Sequence, residues 1–201
     1  MEFPKTLIKR NGYIERIKPF MRKNIAKVLT GQRRVGKSFL LYQLMDQLLV
    51  EEPDANIIYI NFEDFAFSHI QTAEDMHAYI MSKFRKEKYN YIFVDEIQEI
   101  VNFERVIRSL LLNENNDIYI TGSNAKMLSG ELATYLSGRY IEFSVYSLSY
   151  LEFLAFHKLE NNNESLYLYS RYGGLPYLIN LPLKDETVNE YLKSVYSTIV
   201  F

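Results

Sequence analysis

Residues 31–38, Gly-Gln-Arg-Arg-Val-Gly-Lys-Ser, match the phosphate-loop pattern Gly-x4-Gly-Lys-Ser/Thr at every defined position. An apolar segment at residues 25–30 precedes the match, and the apolar start of a helix at residues 39–45 follows it. A strand, a glycine-rich loop and a helix in that order form the setting in which this pattern binds phosphate. The segment therefore predicts an α/β fold that binds a nucleoside triphosphate.

The residue types of this loop explain the chemistry that we expect from it. Glycines at positions 31 and 36 permit positive φ, so the backbone N–H groups can turn inward around an anion. We expect Lys37 to contact the β- and γ-phosphates of ATP and the Ser38 hydroxyl to bind Mg²⁺. Arg33 and Arg34 occupy variable positions, where they are either solvated or in contact with phosphate or a neighbouring subunit. The predicted nucleotide-binding residues are Gly31, Gln32, Arg33, Arg34, Val35, Gly36, Lys37, Ser38 and Phe39.

Strand-like and helix-like segments alternate through the first three quarters of the chain. The predicted strands are 25–30, 56–62, 89–96, 117–122 and 139–143, and the predicted helices between them are 37–50, 72–84, 103–112 and 125–136. Thr72 with Asp75 forms a capping-box-like start for the second of these helices, and Ser149 with Glu152 begins a later one. The alternation of strands and helices favours a parallel sheet with helices on both faces. We therefore expect a P-loop NTPase fold with a five-stranded sheet in the order 5-1-4-3-2.

The alternation stops at Ser147, and only helices are predicted beyond it. They begin near Ser149, Glu164 and Lys184, and residues 173–176 (Gly-Gly-Leu-Pro) are expected to form a turn between two of them. The expected domains are an ATPase core at 1–146 and a small helical, lid-like subdomain at 147–201. We expect the chain to be the N-terminal portion of a longer protein, truncated before a C-terminal domain.

Two acids, Asp95 and Glu96, close the third predicted strand. In P-loop enzymes an acid at this place holds Mg²⁺, directly or through water, opposite the loop serine. A second acid directly after it is suited to activate the attacking water, which a hydrolase needs and a kinase does not. We therefore predict Ser38 and Asp95 as metal ligands and Glu96 as the general base. The alternative is that the two acids cap a helix or form a solvated turn.

Two polar residues, Ser123 and Asn124, follow the fourth predicted strand, whose carboxyl end lies beside the phosphate loop in the expected order. They are expected to orient water or sense the γ-phosphate, to cap the next helix, or to do both. Arg139 precedes the fifth strand and either stabilises transition-state charge, in its own subunit or across an interface, or forms a surface salt bridge. The predicted catalytic residues are Lys37, Glu96, Ser123, Asn124 and Arg139.

Composition excludes several classes of protein. The formal net charge of −2 over 201 residues gives no overall reason to expect a nucleic-acid partner. Because the chain has no cysteine, disulfides and thiolate zinc sites are excluded, and a reducing compartment is compatible with the sequence. The apolar runs are shorter than the ~18 residues that span a bilayer, and the first residues lack a secretory signal. We expect a cytoplasmic protein without a membrane partner.

The phosphate loop is one of several short motifs that follow one another along the chain. They occupy residues 32–38, 61–64, 94–98, 121–124, 136–139, 146–153 and 172–176. Together they resemble the AAA-type ATPase domain of uncharacterised bacterial and archaeal ATP-binding proteins, over about residues 8–201. The resemblance implies a P-loop fold, Mg²⁺-dependent ATP hydrolysis and Arg139 as an arginine finger or sensor. Tyr146 departs from the family, in which proline is common at this place, and this affects only the turn geometry.

We expect an ATPase that converts ATP to ADP and phosphate with Mg²⁺ and couples turnover to an unknown effector. Residues near Ile8, Tyr13 and Ile17 are expected to pack against the adenine. A homo-oligomer is expected if Arg139 acts across an interface. Two alternatives remain, a slow regulatory nucleotide switch and a DNA-associated loader or motor, and the near-neutral charge argues mildly against the second. A nucleoside kinase is disfavoured because no lid motif for an acceptor is evident.

Overall fold

The computed structural model describes residues 7–122, 136 and 138–200. Ser123, Asn124 and most of the helix predicted at 125–136 lie outside the described residues. Contacts divide the chain into two compact units. The first combines the residues up to Gly31 with Lys37–Ser144, and the second combines Gln32–Gly36 with the residues from Val145 onward.

The first unit is built on a parallel sheet of five described strands. They are β1 (Ala26–Thr30), β2 (Asn56–Asn61), β3 (Asn90–Asp95), β4 (Asn116–Gly122) and β5 (Tyr140–Ser144). Their spatial order is β2-β3-β4-β1-β5, and each described pair of neighbours is parallel. This is the order 5-1-4-3-2 read from the other edge, so the predicted fold class is confirmed. The carboxyl ends of β1, β3 and β4 consequently meet at one edge of the sheet.

Burial along the strands follows from this topology. Every residue of β1, β3 and β4 is buried, because these central strands are covered on both faces. Strand β2, at one edge, alternates between buried and half-buried positions. The continuous apolar runs in the sequence therefore correspond to the central strands of the sheet.

Helices cover the two faces of the sheet. The helices of this unit are α1 (Asn11–Ile17), α2 (Lys37–Glu51), α3 (Ala73–Ser82) and α4 (Phe103–Leu110). Helices α3 and α4 share a core with the side chains of one face, among them Val28, Ile60 and Ile120. Helix α2 packs against β3 and β4, and α1 packs against α2. Among the described residues, no helix has both the length and the apolar character that a bilayer-spanning segment needs.

Local signals explain where some of these helices begin and end. Helix α3 begins at the predicted capping box, in which the Thr72 hydroxyl accepts from the Asp75 N–H at 3.1 Å and the Asp75 carboxylate accepts from the Thr72 N–H at 3.0 Å. Helix α4 ends two residues before its predicted end, and the Asn116 amide donates to the Leu110 carbonyl at 2.7 Å. Helix α1 was not predicted, because it is short and no side chain caps its start.

A buried polar cluster lies at the amino edge of the sheet. Lys27 and Asp117 are both fully buried and form an ion pair. The other Asp117 oxygen accepts from the Tyr119 hydroxyl at 2.7 Å and from the Arg22 N–H at 2.9 Å, and Lys27 also donates to the Ile25 carbonyl at 3.0 Å. Burial lowers the pKa of Lys27, and the charge of Asp117 opposes this shift. Both buried charges are thus compensated within the cluster.

The second unit contains α5 (Tyr150–His157), α6 (Asn163–Tyr172) and α7 (Asp185–Val200). The predicted capping box of Ser149 and Glu152 begins α5. The predicted turn after α6 needs both of its glycines. Gly173 adopts a φ of 72°, and a methyl group on Gly174 would lie 2.2 Å from the Leu148 carbonyl oxygen. A 3₁₀ turn at Pro176–Asn180 follows.

Candidate functional site

Three neighbouring strands place polar residues at the carboxyl edge of the sheet. Strand β1 ends at Thr30 and leads into Gly31, β3 ends at Asp95, and Thr121 is the last residue but one of β4. Because β4 lies between β1 and β3, these three ends are adjacent. Open α/β sheets bind ligands in the crevice outside the carboxyl ends of their strands. The loop start and the acids predicted from the sequence therefore share one edge.

Lys37 is the first residue of α2, and its side chain is only 4% exposed. Its Nζ donates to the Gly31 carbonyl at 3.1 Å and lies 3.6 Å from Glu96 Oε1. The start of α2 adds the positive end of a helix dipole to this ammonium group. An ammonium group and the amino end of a helix therefore lie together beside the two acids.

Asp95 is buried, with 1% of its surface exposed. Burial raises the pKa of its carboxyl group, and hydrogen bonds from the Thr121 and Ser38 hydroxyls oppose this rise. The negative charge of Glu96 also raises the pKa of Asp95, and the positive charge of Lys37 lowers it. The Ser38 hydroxyl and the Asp95 carboxylate thus interact, and both offer the oxygen ligands that Mg²⁺ prefers.

Glu96 follows Asp95 in the left-handed backbone region, with φ 53° and ψ 48°. Its N–H donates to Thr121 Oγ1 at 3.0 Å, and its Oε2 accepts from the Gln98 amide at 2.6 Å. The Thr121 hydroxyl therefore touches both acids, since it donates to Asp95 and accepts from Glu96. This geometry orients the Glu96 carboxylate beside Lys37.

Residues 32–36 of the loop belong to the second unit. Arg34 has a φ of 68° and Gly36 has a φ of 95°. The positive φ of Gly36 is the conformation that the pattern predicts for its second glycine. The Arg34 side chain is exposed, and its guanidinium lies 5.9 Å from the centre of the Tyr191 ring. A Cβ on Gly36 would lie 3.8 Å from Pro176 Cγ. Within this unit, the loop packs beside the turn that follows α6.

The remaining predicted site residues have different placements. Phe39 has an exposed side chain on α2. Arg139 has an exposed side chain and immediately precedes β5, whose first residue pairs with Ala26 at the start of β1. Arg139 therefore lies at the amino edge of the sheet, and Asp95 lies at the carboxyl edge. The roles of Ser123 and Asn124 stay predictions, because both lie outside the described residues.

The structure adds Thr121 and Gln98 to the residues that the sequence singled out. Both belong to motifs noted in the sequence, but neither had been given a role. Thr121 could have been identified from the sequence. It lies near the end of a strand, and the neighbouring strand ends in two acids. Gln98 has no comparable signal, because its contact depends on the left-handed backbone of Glu96.

Comparison with known proteins gives the family. A family model described as an AAA domain matches residues 23–154. The chain belongs to this AAA family. It is therefore an ATPase-type, nucleotide-binding domain with the P-loop fold, and the resemblance seen in the sequence is confirmed.

Relatives of this AAA domain include an uncharacterised protein of Haemophilus influenzae, 37% identical over 98% of this chain and 50% of its own length. An uncharacterised protein of Methanocaldococcus jannaschii is 30% identical over 86% of this chain and 41% of its own length. The chain thus spans about half the length of the curated relatives it matches. The structure of AMPPCP-bound DnaA from Aquifex aeolicus is similar in fold, with a TM-score of 0.57 and 14% identity over 87% of this chain and 61% of that chain.

Proposed function

We propose that this AAA domain is a cytoplasmic, Mg²⁺-dependent ATPase that hydrolyses ATP to ADP and phosphate and couples turnover to an effector. The observation that carries the proposal is the meeting of Lys37, Asp95 and Glu96 at one edge of the sheet. A cation for phosphate, an acid for a metal and a second acid for water are the groups that this reaction needs.

Lys37 and the loop amides bind the phosphate chain in this proposal. The ammonium group exchanges its contact with Glu96 for the β- and γ-phosphate oxygens, which carry more negative charge. This exchange leaves Glu96 Oε1 without the Lys37 contact. Nucleotide binding therefore prepares the base for the chemical step.

Ser38 and Asp95 would hold the Mg²⁺ ion that the family implies. Both present hard oxygen atoms, and the interaction of the Ser38 hydroxyl with Asp95 supports a shared position for the ion. The ion, when bound, would offset charge on the β- and γ-phosphate oxygens. The Thr121 hydroxyl fixes the Asp95 carboxylate that takes part in this binding.

Glu96 accepts a proton from the attacking water. The water oxygen forms a bond to the γ-phosphorus while the bond from that phosphorus to the β–γ bridging oxygen breaks. The bridging oxygen keeps the electron pair and leaves as part of ADP. General base catalysis of this kind contributes a factor of roughly 10²–10⁴ to the rate.

The experiment is a phosphate-release assay with ATP binding measured in parallel. We expect the wild type to release phosphate with Mg²⁺ and to stop when the metal is chelated by EDTA. Lys37→Ala should weaken ATP binding by about tenfold or more and remain folded, because the lost interaction is charge-assisted. Lys86→Ala, at an exposed position, is the matched control. Equal ATP affinity in folded Lys37→Ala and wild type would contradict the proposed role of the loop lysine.

A slow nucleotide switch is the second candidate function. The observation in its favour is that both Glu96 carboxylate oxygens have partners in this structure, Lys37 and Gln98. With its base held in this way, the domain would hydrolyse ATP slowly until a partner accelerates the reaction. Single-turnover kinetics with and without candidate partners would distinguish the switch from a continuously active ATPase.

Arg139 remains a proposed arginine finger in a homo-oligomer. Its place at the amino edge of the sheet argues for action across an interface rather than on its own subunit's Lys37. The turnover number should then rise with protein concentration in the wild type and stay constant in Arg139→Ala. A turnover number independent of concentration in both proteins would contradict this role. DNA association stays a weaker alternative, which salt-dependent DNA binding would support.

A further inference from the structure

Gln98 is a half-buried residue whose amide nitrogen and amide oxygen differ in their hydrogen bonding. Its Nε2 donates to Glu96 Oε2 at 2.6 Å, and no donor among the described residues reaches its buried Oε1. An acceptor buried without a partner is destabilising, whereas an aliphatic side chain at this place would avoid that cost. Packing alone therefore does not account for this amide. What remains is the N–H that it donates to the carboxylate.

The backbone explains why Gln98 reaches Glu96. The left-handed conformation of Glu96 turns the chain sharply after β3, and the 3₁₀ turn Ile97–Glu99 follows at once. Such a conformation is unfavourable for a residue other than glycine. Two hydrogen bonds hold Glu96. Its N–H donates to the Thr121 hydroxyl, and its carboxylate accepts from the Gln98 amide. They fix the backbone and the carboxylate of Glu96 separately.

We propose that Gln98 is a positioning residue for the catalytic base. Its amide holds Glu96 Oε2, so that Oε1 is the oxygen that receives the water proton once Lys37 has moved to the phosphates. The inference rests on the proposed function, in which Glu96 is the base. It adds that the amide of a neighbouring residue sets the orientation of this base.

The kinetic test uses Gln98→Leu, which removes the donor, retains the bulk and eliminates the unpaired acceptor. We expect kcat to fall by about tenfold or more, as a misplaced base requires. ATP affinity should stay within about twofold of wild type, because no phosphate contact is lost. The conservative variant Gln98→Asn should recover part of the lost kcat. Glu99→Gln, an exposed change in the same turn, should behave as wild type.

A spectroscopic readout separates positioning from activity. In protein labelled with ¹⁵N on glutamine side chains, the Gln98 amide protons should shift in Glu96→Ala and stay unchanged in Glu99→Gln. Wild-type kcat in Gln98→Leu, parallel losses of kcat and ATP affinity, or Gln98 protons indifferent to Glu96→Ala would each overturn the inference. Wild-type turnover in Glu96→Gln, or none in the wild type, would overturn the proposed function as well. Turnover that depends on Glu96 but not on Gln98 would overturn the positioning role alone.

Discussion

Two buried lysine–carboxylate pairs lie at opposite edges of the same sheet, and they are built differently. At the amino edge, Lys27 and Asp117 are fully buried and form a close ion pair supported by further hydrogen bonds. At the carboxyl edge, Lys37 lies 3.6 Å from Glu96 in a looser contact. Strands β1 and β4 reach both edges. Lys27 and Asp117 lie at their amino ends, and Thr30 and Thr121 lie at their carboxyl ends.

The difference indicates which pair has a structural role and which has a chemical one. A buried charge costs several kcal/mol unless it is paired and hydrogen-bonded, and the amino-edge cluster meets both conditions. The carboxyl-edge lysine is arranged so that another anion can take the place of Glu96. We infer that the first pair stabilises the fold and that the second binds substrate.

The largest expected effect comes from breaking the amino-edge pair. Asp117→Ala leaves Lys27 buried without its counter-ion and should lower the free energy of unfolding by about 3–5 kcal/mol. Chemical denaturation followed by circular dichroism measures this loss. Lys37→Ala, which removes the cation of the looser carboxyl-edge pair, should cost much less. Equal losses at the two edges would contradict the division of roles.

Removing the cation instead of the anion sharpens the same comparison. Lys27→Met should cost less than Asp117→Ala, about 1–3 kcal/mol, because Asp117 keeps hydrogen bonds from Tyr119 and Arg22. The measurement is again the denaturation midpoint and slope. A larger loss for Lys27→Met than for Asp117→Ala would show that the acid is not the centre of this cluster.

Thr121→Val tests whether the carboxyl edge is tuned for activity. The change removes the hydroxyl that touches both Asp95 and Glu96 and nearly preserves shape. We expect an unfolding cost of ~1–2 kcal/mol, together with a phosphate-release rate at least about tenfold lower. Thr121→Ser keeps the hydroxyl and should retain most of the activity. Full activity in Thr121→Val would remove this residue from the site.

The smallest effect is expected at an exposed pair of the first unit. Lys88 Nζ lies 2.6 Å from Asp54 Oδ2, and the Asp54 side chain is almost fully exposed. Water and salt screen such a pair, so Asp54→Ala should leave the denaturation midpoint unchanged within error. A loss comparable with that of Asp117→Ala would show that burial does not set the strength of these pairs.

Much of the fold could be predicted because local signals were strong. The phosphate loop fixed the first strand–loop–helix unit, and the apolar runs at β3 and β4 fitted buried parallel strands, whereas β2 lies at the edge of the sheet and is only partly buried. The capping boxes at Thr72 and Ser149 located the starts of α3 and α5. Helix α1 escaped prediction because it depends on packing against α2 rather than on a capping residue.

The candidate site was predictable only in part, for a physical reason. Lys37, Asp95 and Glu96 have roles that follow from their places in motifs and at strand ends. Gln98 does not, because its contact arises from a backbone conformation that glutamate rarely adopts. The amino-edge cluster was equally hidden, since it joins Lys27 and Asp117 across a strand pairing that only the structure shows.

Single-turnover phosphate release by Glu96→Gln, with ATP affinity measured on the same protein, tests the central claim most directly. Glutamine preserves the shape of the side chain, but it replaces one acceptor oxygen with an NH2 donor and does not accept the water proton. We predict ATP affinity within about threefold of wild type and phosphate release at least about 100-fold slower. Release at the wild-type rate would contradict the assignment of the carboxyl edge as a hydrolytic site.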